Sequence, residues 1–74
     1  MQFKSAQEVC FIRNKYPSGT RIRLMDQLKD PFSPIACGTE GTVRFVDDAG
    51  TIHMQWDNGR TLGLIYGKDS FVII

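Results

Sequence analysis

From Gly38 to Gly59 the chain reads Gly-Thr-Glu-Gly-Thr-Val-Arg-Phe-Val-Asp-Asp-Ala-Gly-Thr-Ile-His-Met-Gln-Trp-Asp-Asn-Gly, two runs in which apolar and polar residues alternate, each closed by a turn rich in Asp, Asn and Gly. Alternation with a period of two sends successive side chains to opposite faces of an extended ribbon, and such turns fold the ribbon back on itself. Asp57-Asn58-Gly59 fits a three-residue hairpin loop, a type I turn followed by Gly in the left-handed conformation. That register sets Trp56 opposite Arg60, Met54 opposite Leu62 and Ile52 opposite Leu64. A two-residue Asn-Gly turn would instead put Met54 against Gly63 and scatter the large apolar residues over both faces. In the preceding hairpin a four-residue loop over 47–50 pairs Phe45 with Ile52 and Val43 with Met54. Both hairpins then predict one core face made of Val43, Phe45, Ile52, Met54, Trp56, Leu62 and Leu64.

The rest of the chain builds on this sheet. Residues 5–16 read as a helix: Ser5 followed by Glu8 has the capping-box spacing, and Ala6, Val9, Ile12 and Tyr16 recur at three- and four-residue intervals. Arg13 and Lys15 suit the negative end of the helix dipole, and Pro17 and Gly19 stop it. A strand is predicted over 20–25, where Ile22 and Leu24 alternate with Arg21 and Arg23, and others at about 42–46, 51–56, 60–65 and 71–74. Between the first two strands runs a loop of residues 26–37, stiffened by Pro31 and Pro34 and carrying Phe32 and Ile35. Glycines at 41 and 63 mark bends. The predicted fold is mainly β, a small five-stranded SH3-like barrel with one N-terminal α-helix, the helix over 5–16 and the barrel over 20–74 of a single domain, 1–74.

Composition narrows the function classes. At 74 residues a single core supplies little surplus stability, so self-association is expected to help. A net charge of +1 argues against a dedicated nucleic-acid binder, since phosphate neutralisation needs clustered excess Lys and Arg. No apolar run reaches the ~20 residues that cross a bilayer, and the N-terminal residues lack a signal-peptide core, so a cytoplasmic protein without a membrane partner is expected. Cys10 and Cys37 are expected as free, partly buried thiols.

Individual residues carry both chemical and structural readings. The chosen pairing puts Arg44 and Gly63 on either side of His53, the only histidine, on the face opposite the core, with Gln55 and Thr61 one step along. Arg44 and His53 would there form a shallow anion site, open to close approach at Gly63. The competing and favoured account packs the helix on this face through Val9 and Ile12, over Val46 and Ile65, leaving His53 half-covered. Trp56 shares the phase of Met54 and Ile52 and is expected in the core, whereas Phe32 and Tyr66 sit in loops and are the aromatics expected at the surface. Asp47, Asp48 and Asp57 are accounted for by turn chemistry. Cys10, Cys37 and His53 lack metal-ligand spacing, and no catalytic constellation is signalled, so no metal, no cofactor and no enzymatic activity are expected.

Tyr16-Pro17-Ser18-Gly19-Thr20, Asp30-Pro31-Phe32, Gly38-Thr39-Glu40-Gly41-Thr42-Val43, Asp47-Asp48-Ala49-Gly50-Thr51-Ile52-His53, Trp56-Asp57-Asn58-Gly59 and Leu62-Gly63-Leu64 together resemble an uncharacterised bacterial family. These small domains of unknown function recur in bacteriophages and conjugative elements, and the likeness runs from about Glu8 to Phe71. The Gly38-to-Trp56 portion is also similar, more loosely, to the ribosomal and transcription-factor motif in which a Gly-marked hairpin of an SH3-like barrel touches RNA. The chain departs from the family pattern at Ala36-Cys37 and at Tyr66, where prolines are expected; both positions lie in loops. The resemblance implies an SH3-like barrel in a mobile-element setting and carries over no activity.

The expectation is therefore a non-enzymatic binding module of a phage or mobile element. It would dock on a host protein or capture a small anionic ligand in the bacterial cytoplasm, as an inhibitor of a host defence system. The candidate binding residues are Arg44, His53, Gln55, Phe32, Tyr66 and Arg60. The first alternative is nucleic-acid binding through Arg21, Arg23, Arg44 and Arg60, and the second a small oligomeric enzyme with a pocket shared between subunits.

Overall fold

Helix α1 forms where the capping signal lies. The structure, a computed structural model, describes residues 4–74 and places α1 at Ala6–Lys15. Ser5 is its N-cap: the Ser5 Oγ accepts from the Glu8 N–H at 3.2 Å, and the Glu8 carboxylate accepts from the Ser5 N–H at 3.4 Å. Val9 and Ile12 are buried, while Ala6, one turn earlier on the expected stripe, is exposed. Tyr16 ends the helix with its N–H on the Ile12 carbonyl, and its ring goes into the core.

Five strands follow: β1 at Arg21–Leu24, β2 at Glu40–Val46, β3 at Thr51–Trp56, β4 at Leu64–Ile65 and β5 at Phe71–Ile73. They form one antiparallel sheet in the order β4-β3-β2-β1-β5. The outermost strands, β4 and β5, are not paired with each other, so the sheet is not closed into a barrel by hydrogen bonds. The stretch predicted as a strand from residue 60 pairs only at Leu64 and Ile65. The Leu62 carbonyl is directed at the Trp56 indole N–H, which it accepts at 2.7 Å, and not at a partner strand.

One face of the sheet carries the core. Ile22, Leu24, Val43, Val46, Ile52, Met54, Trp56 and Leu64 lie on it, joined by Ile12 and Tyr16 from the helix and by Leu28 and Ile35 from the long loop, with Leu62, Tyr66 and Phe71 packed partly buried against them. Trp56 is 1% exposed. A Cβ on Gly41, directly across from Trp56, would lie 2.7 Å from the indole Cε3, so glycine there makes room for the ring.

The pairing of β2 with β3 departs from expectation in one instructive place. Val43 faces Met54 as predicted, but Ile52 faces Val46 rather than Phe45. Asp47 and Thr51 close a three-residue loop over 48–50: the Asp47 N–H donates to the Thr51 carbonyl at 3.0 Å, and Gly50 has φ of +86°. The Asp57-Asn58-Gly59 loop is built the same way, with the Trp56 N–H on the Arg60 carbonyl at 2.8 Å and Gly59 at φ +89°. The extra residue this leaves in β2 is taken up as a bulge between Val43 and Phe45. The bulge turns Val46 into the core and Phe45 out to the other face, where it is 49% exposed.

The helix lies on the core side and not on the His53 face. Ile12 joins the buried cluster, and the Arg13 guanidinium donates to the Val46 carbonyl at 2.9 and 3.2 Å. The favoured account of helix packing is thus right about Val9, Ile12 and Val46 and wrong about the face, because the bulge carries Val46 to the core side.

Candidate functional site

The polar face of the sheet starts from the two hairpins. His53, in the middle of β3, faces Phe45 across the ladder, and the two rings stack with centroids 4.3 Å apart and planes 10° from parallel. The His53 Nε2 is 2.7 Å from the Asp47 Oδ2. The other oxygen of that carboxylate accepts from the Ala49 and Thr51 N–H groups at 3.0 and 2.9 Å, the turn role expected of Asp47. The imidazole bond first, and those two backbone donors with it, hold the Asp47 carboxyl below the ordinary carboxylate range. His53 is therefore flanked by Phe45 and Asp47, not by Arg44 as expected. Arg44 sits exposed at the bulge and makes no hydrogen bond or ion pair with the described residues. Gln55 is exposed one step along β3, opposite Thr42.

Further along the same face the charges are paired. Arg21 grips the Asp57 carboxylate with two bonds of 2.8 and 2.7 Å and also donates to the Thr42 hydroxyl at 2.9 Å. Arg23 meets Glu40 at 2.8 Å. The fork-to-carboxylate geometry lowers the Asp57 carboxyl below its ordinary range. Asp57 thus does more than shape its turn: it ties the β3–β4 loop to β1.

The loop between β1 and β2 is a built structure. Leu28 and Ile35 exchange two backbone hydrogen bonds, 2.9 and 3.1 Å long, and both side chains are buried, which fastens the base of the loop to the core. At its tip the Asp30 Oδ1 accepts from the Phe32 N–H at 2.8 Å, a local turn. Arg60, reaching over from beyond the β3–β4 turn, contacts the Ser33 hydroxyl and lies 3.6 Å from the Asp30 Oδ2. Pro31 and Pro34 restrict the backbone on either side. The result is a loop closed at its base, clamped at its tip, and presenting Phe32 at 96% exposure.

Tyr66 corrects the expectation of a surface aromatic. It is half-buried, its ring 5.8 Å edge-on from Phe11 and 6.0 Å from Tyr16, with the Lys15 ammonium 5.4 Å from its centroid. With Gln7, Glu8, Phe11 and Ile12 it lines a shallow groove of about 220 Å³. A larger cleft of about 410 Å³ lies between residues 26–29 and the β4–β5 connection, with Lys29 and Lys68 set among Asp26 and Asp69. Both cysteines are free thiols and both are exposed, not partly buried: Cys10 lies on the outer side of α1, and Cys37 at the end of the long loop.

The six candidate residues therefore do not form one site. Arg60 and Phe32 come together through the clamped loop, His53 and Gln55 share a strand face with Arg44 at its edge, and Tyr66 belongs with the helix. Sequence reasoning missed Phe45, which the bulge brings to the surface. The matching spacing of Asp48-Ala49-Gly50 and Asp57-Asn58-Gly59 was the signal that both hairpins share one loop type.

The chain belongs to a family described as a domain of unknown function, DUF4314, whose pattern matches residues 5–74. No curated protein and no solved structure is detectably similar to it. Among the described residues no helix is long and apolar enough to cross a membrane.

Proposed function

We propose that this DUF4314 chain is a non-enzymatic docking module that seats Phe32 in an apolar pocket of a partner protein. The observation that carries this is the clamped loop holding an aromatic ring 96% open to water. Removing a Phe side chain from water is worth about 1.5–3 kcal/mol, and that stabilisation is available only in a complex. The clamp from Arg60 and the turn at Asp30 lower the ordering cost on binding. In this reading the module comes from a phage or mobile element, works in the bacterial cytoplasm, and inhibits a host defence protein. The strand order, with a long loop after β1 and tight turns thereafter, supports assigning the sheet to the SH3-like class.

Nucleic-acid binding is supported less well. Of its four arginines, Arg21, Arg23 and Arg60 are already matched with carboxylates, which leaves only Arg44 to neutralise phosphate. A small anionic ligand is likewise disfavoured beside His53, where Asp47 holds the imidazole and would repel an anion.

The test is binding to host proteins with wild type and Phe32→Ala side by side, followed by titration of the captured partner. Phe32→Ala is expected to weaken binding about 30-fold, or roughly 2 kcal/mol, with thermal stability unchanged. Arg60→Ala is expected to weaken it less, by loosening the loop. A partner bound with equal affinity by both chains would remove Phe32 as the anchor. Binding to RNA or DNA that falls steeply with salt would favour the nucleic-acid alternative instead.

A further inference from the structure

We infer that β5 is a self-pairing edge, through which two copies of this chain join their sheets antiparallel about a two-fold axis. The reasoning starts from the hydrogen-bond phase of β5. The Ile74 N–H donates to the Arg21 carbonyl at 3.0 Å and the Met25 N–H to the Ser70 carbonyl at 2.9 Å, with Val72 opposite Arg23 between them. In an antiparallel pair the bonded positions alternate, so residues 70, 72 and 74 direct their backbone groups to β1. Phe71 and Ile73 then direct their N–H and C=O groups to the open side, where the sheet has no further strand among the described residues.

Edge strands in soluble proteins are normally guarded by charge, proline, a bulge or shortness. The opposite edge, β4, is guarded by being two residues long. Ser70-Phe71-Val72-Ile73-Ile74 has no charged side chain and no proline, and its pairing with β1 runs without a shift in register. Val72, Ile73 and Ile74 are 42, 50 and 47% exposed, so apolar surface stands on both sides of a backbone edge that no further strand of the described residues covers.

A second copy fits this edge in hydrogen-bond phase and in charge. Setting Val72 against Val72 of the copy places Phe71 opposite Ile73 and Ile73 opposite Phe71, the two positions whose backbone groups point outward, giving four new backbone hydrogen bonds. The same register puts apolar side chains against apolar side chains on both faces. It brings no like-charged side chains together, because no side chain of residues 70–74 is charged and the nearby Arg23 is held by Glu40. Such an interface is smaller than the ~800 Å² per partner of a stable complex, so a weak, readily reversible dimer is expected.

Sedimentation of the whole chain over a range of concentration tests the pairing. The mass is expected to rise from one chain to two across the micromolar range. Val72→Lys sets two lysines directly opposite each other on the two-fold axis, their Cβ atoms about 5 Å apart, and Ile73→Pro removes an outward N–H that β1 does not use; each is expected to abolish the dimer while circular dichroism stays native. Phe32→Ala is expected to leave the dimer intact. Amide exchange gives a readout independent of any variant. The Phe71 and Ile73 amides should gain protection as concentration rises, while Val72 is protected throughout. A chain that stays single at several hundred micromolar, or a dimer that survives both β5 variants, or protection that grows elsewhere, would overturn the inference.

Discussion

At the scale of single residues, Gly41 and Trp56 are the pair on which the core turns. The indole occupies the space a side chain at 41 would need, and the Gln55 carbonyl lies 2.9 Å from where that Cβ would stand. Backbone cannot swing aside as a flexible side chain can. Gly41→Ala is therefore expected to destabilise the fold by on the order of 2 kcal/mol, as overpacking does. Denaturant unfolding followed by Trp56 fluorescence measures this, and a loss below a few tenths of a kcal/mol would mean that the ring relaxes. Phe45 teaches the complementary lesson. Its place in the alternating pattern assigned it to the core, and one bulged residue reversed its face. Period-two reading holds only for an unbroken ladder.

At the scale of elements, the helix was the most legible part. Ser5 and Glu8 stand three residues apart, and the reciprocal bonds between them follow directly from that spacing. Ser5→Ala removes the acceptor for the Glu8 N–H and is expected to cost about 1 kcal/mol. Ser5→Asp, which keeps an acceptor there, should restore most of it; equal stability of the two variants in chemical denaturation would argue that the cap contributes nothing. The strands were legible to different degrees. The limits of β3 were read correctly from alternation and turns, whereas β4 was read too long because the alternating pattern does not show that the Leu62 carbonyl accepts from the indole six residues earlier. The 26–37 loop was recognised as a loop, and Phe32 as its exposed aromatic. Its clamp was not foreseen, since Arg60 and Ser33 are 27 residues apart.

At the scale of the whole molecule, carboxylates tie distant segments together, and this sets the response to acid. Asp57 joins the β3–β4 turn to β1 through Arg21, and Asp47 joins the β2–β3 turn to His53. Both carboxyls are lowered below the ordinary range by these bonds, so the folded chain holds fewer protons than the unfolded one as they titrate. Their contribution is present above the ordinary carboxylate range, near pH 4, and is lost as pH falls through the lowered folded values. Unfolding midpoints measured from pH 7 to 2 should thus decline below about pH 4, with a shallower decline in the Asp47→Asn, Asp57→Asn double variant. An unchanged slope in that variant would place the acid sensitivity elsewhere.

By itself the sequence determined the elements whose causes lie within a few residues of each other: the capped helix, the hairpin turns, the alternating faces, and the burial of Trp56 that follows from its phase. The tertiary structure alone decided which ring met His53, which carboxylate each arginine took, and which strands lie at the edges of the sheet. Those outcomes depend on groups far apart in the chain competing for one partner in space, and no local spacing records who wins.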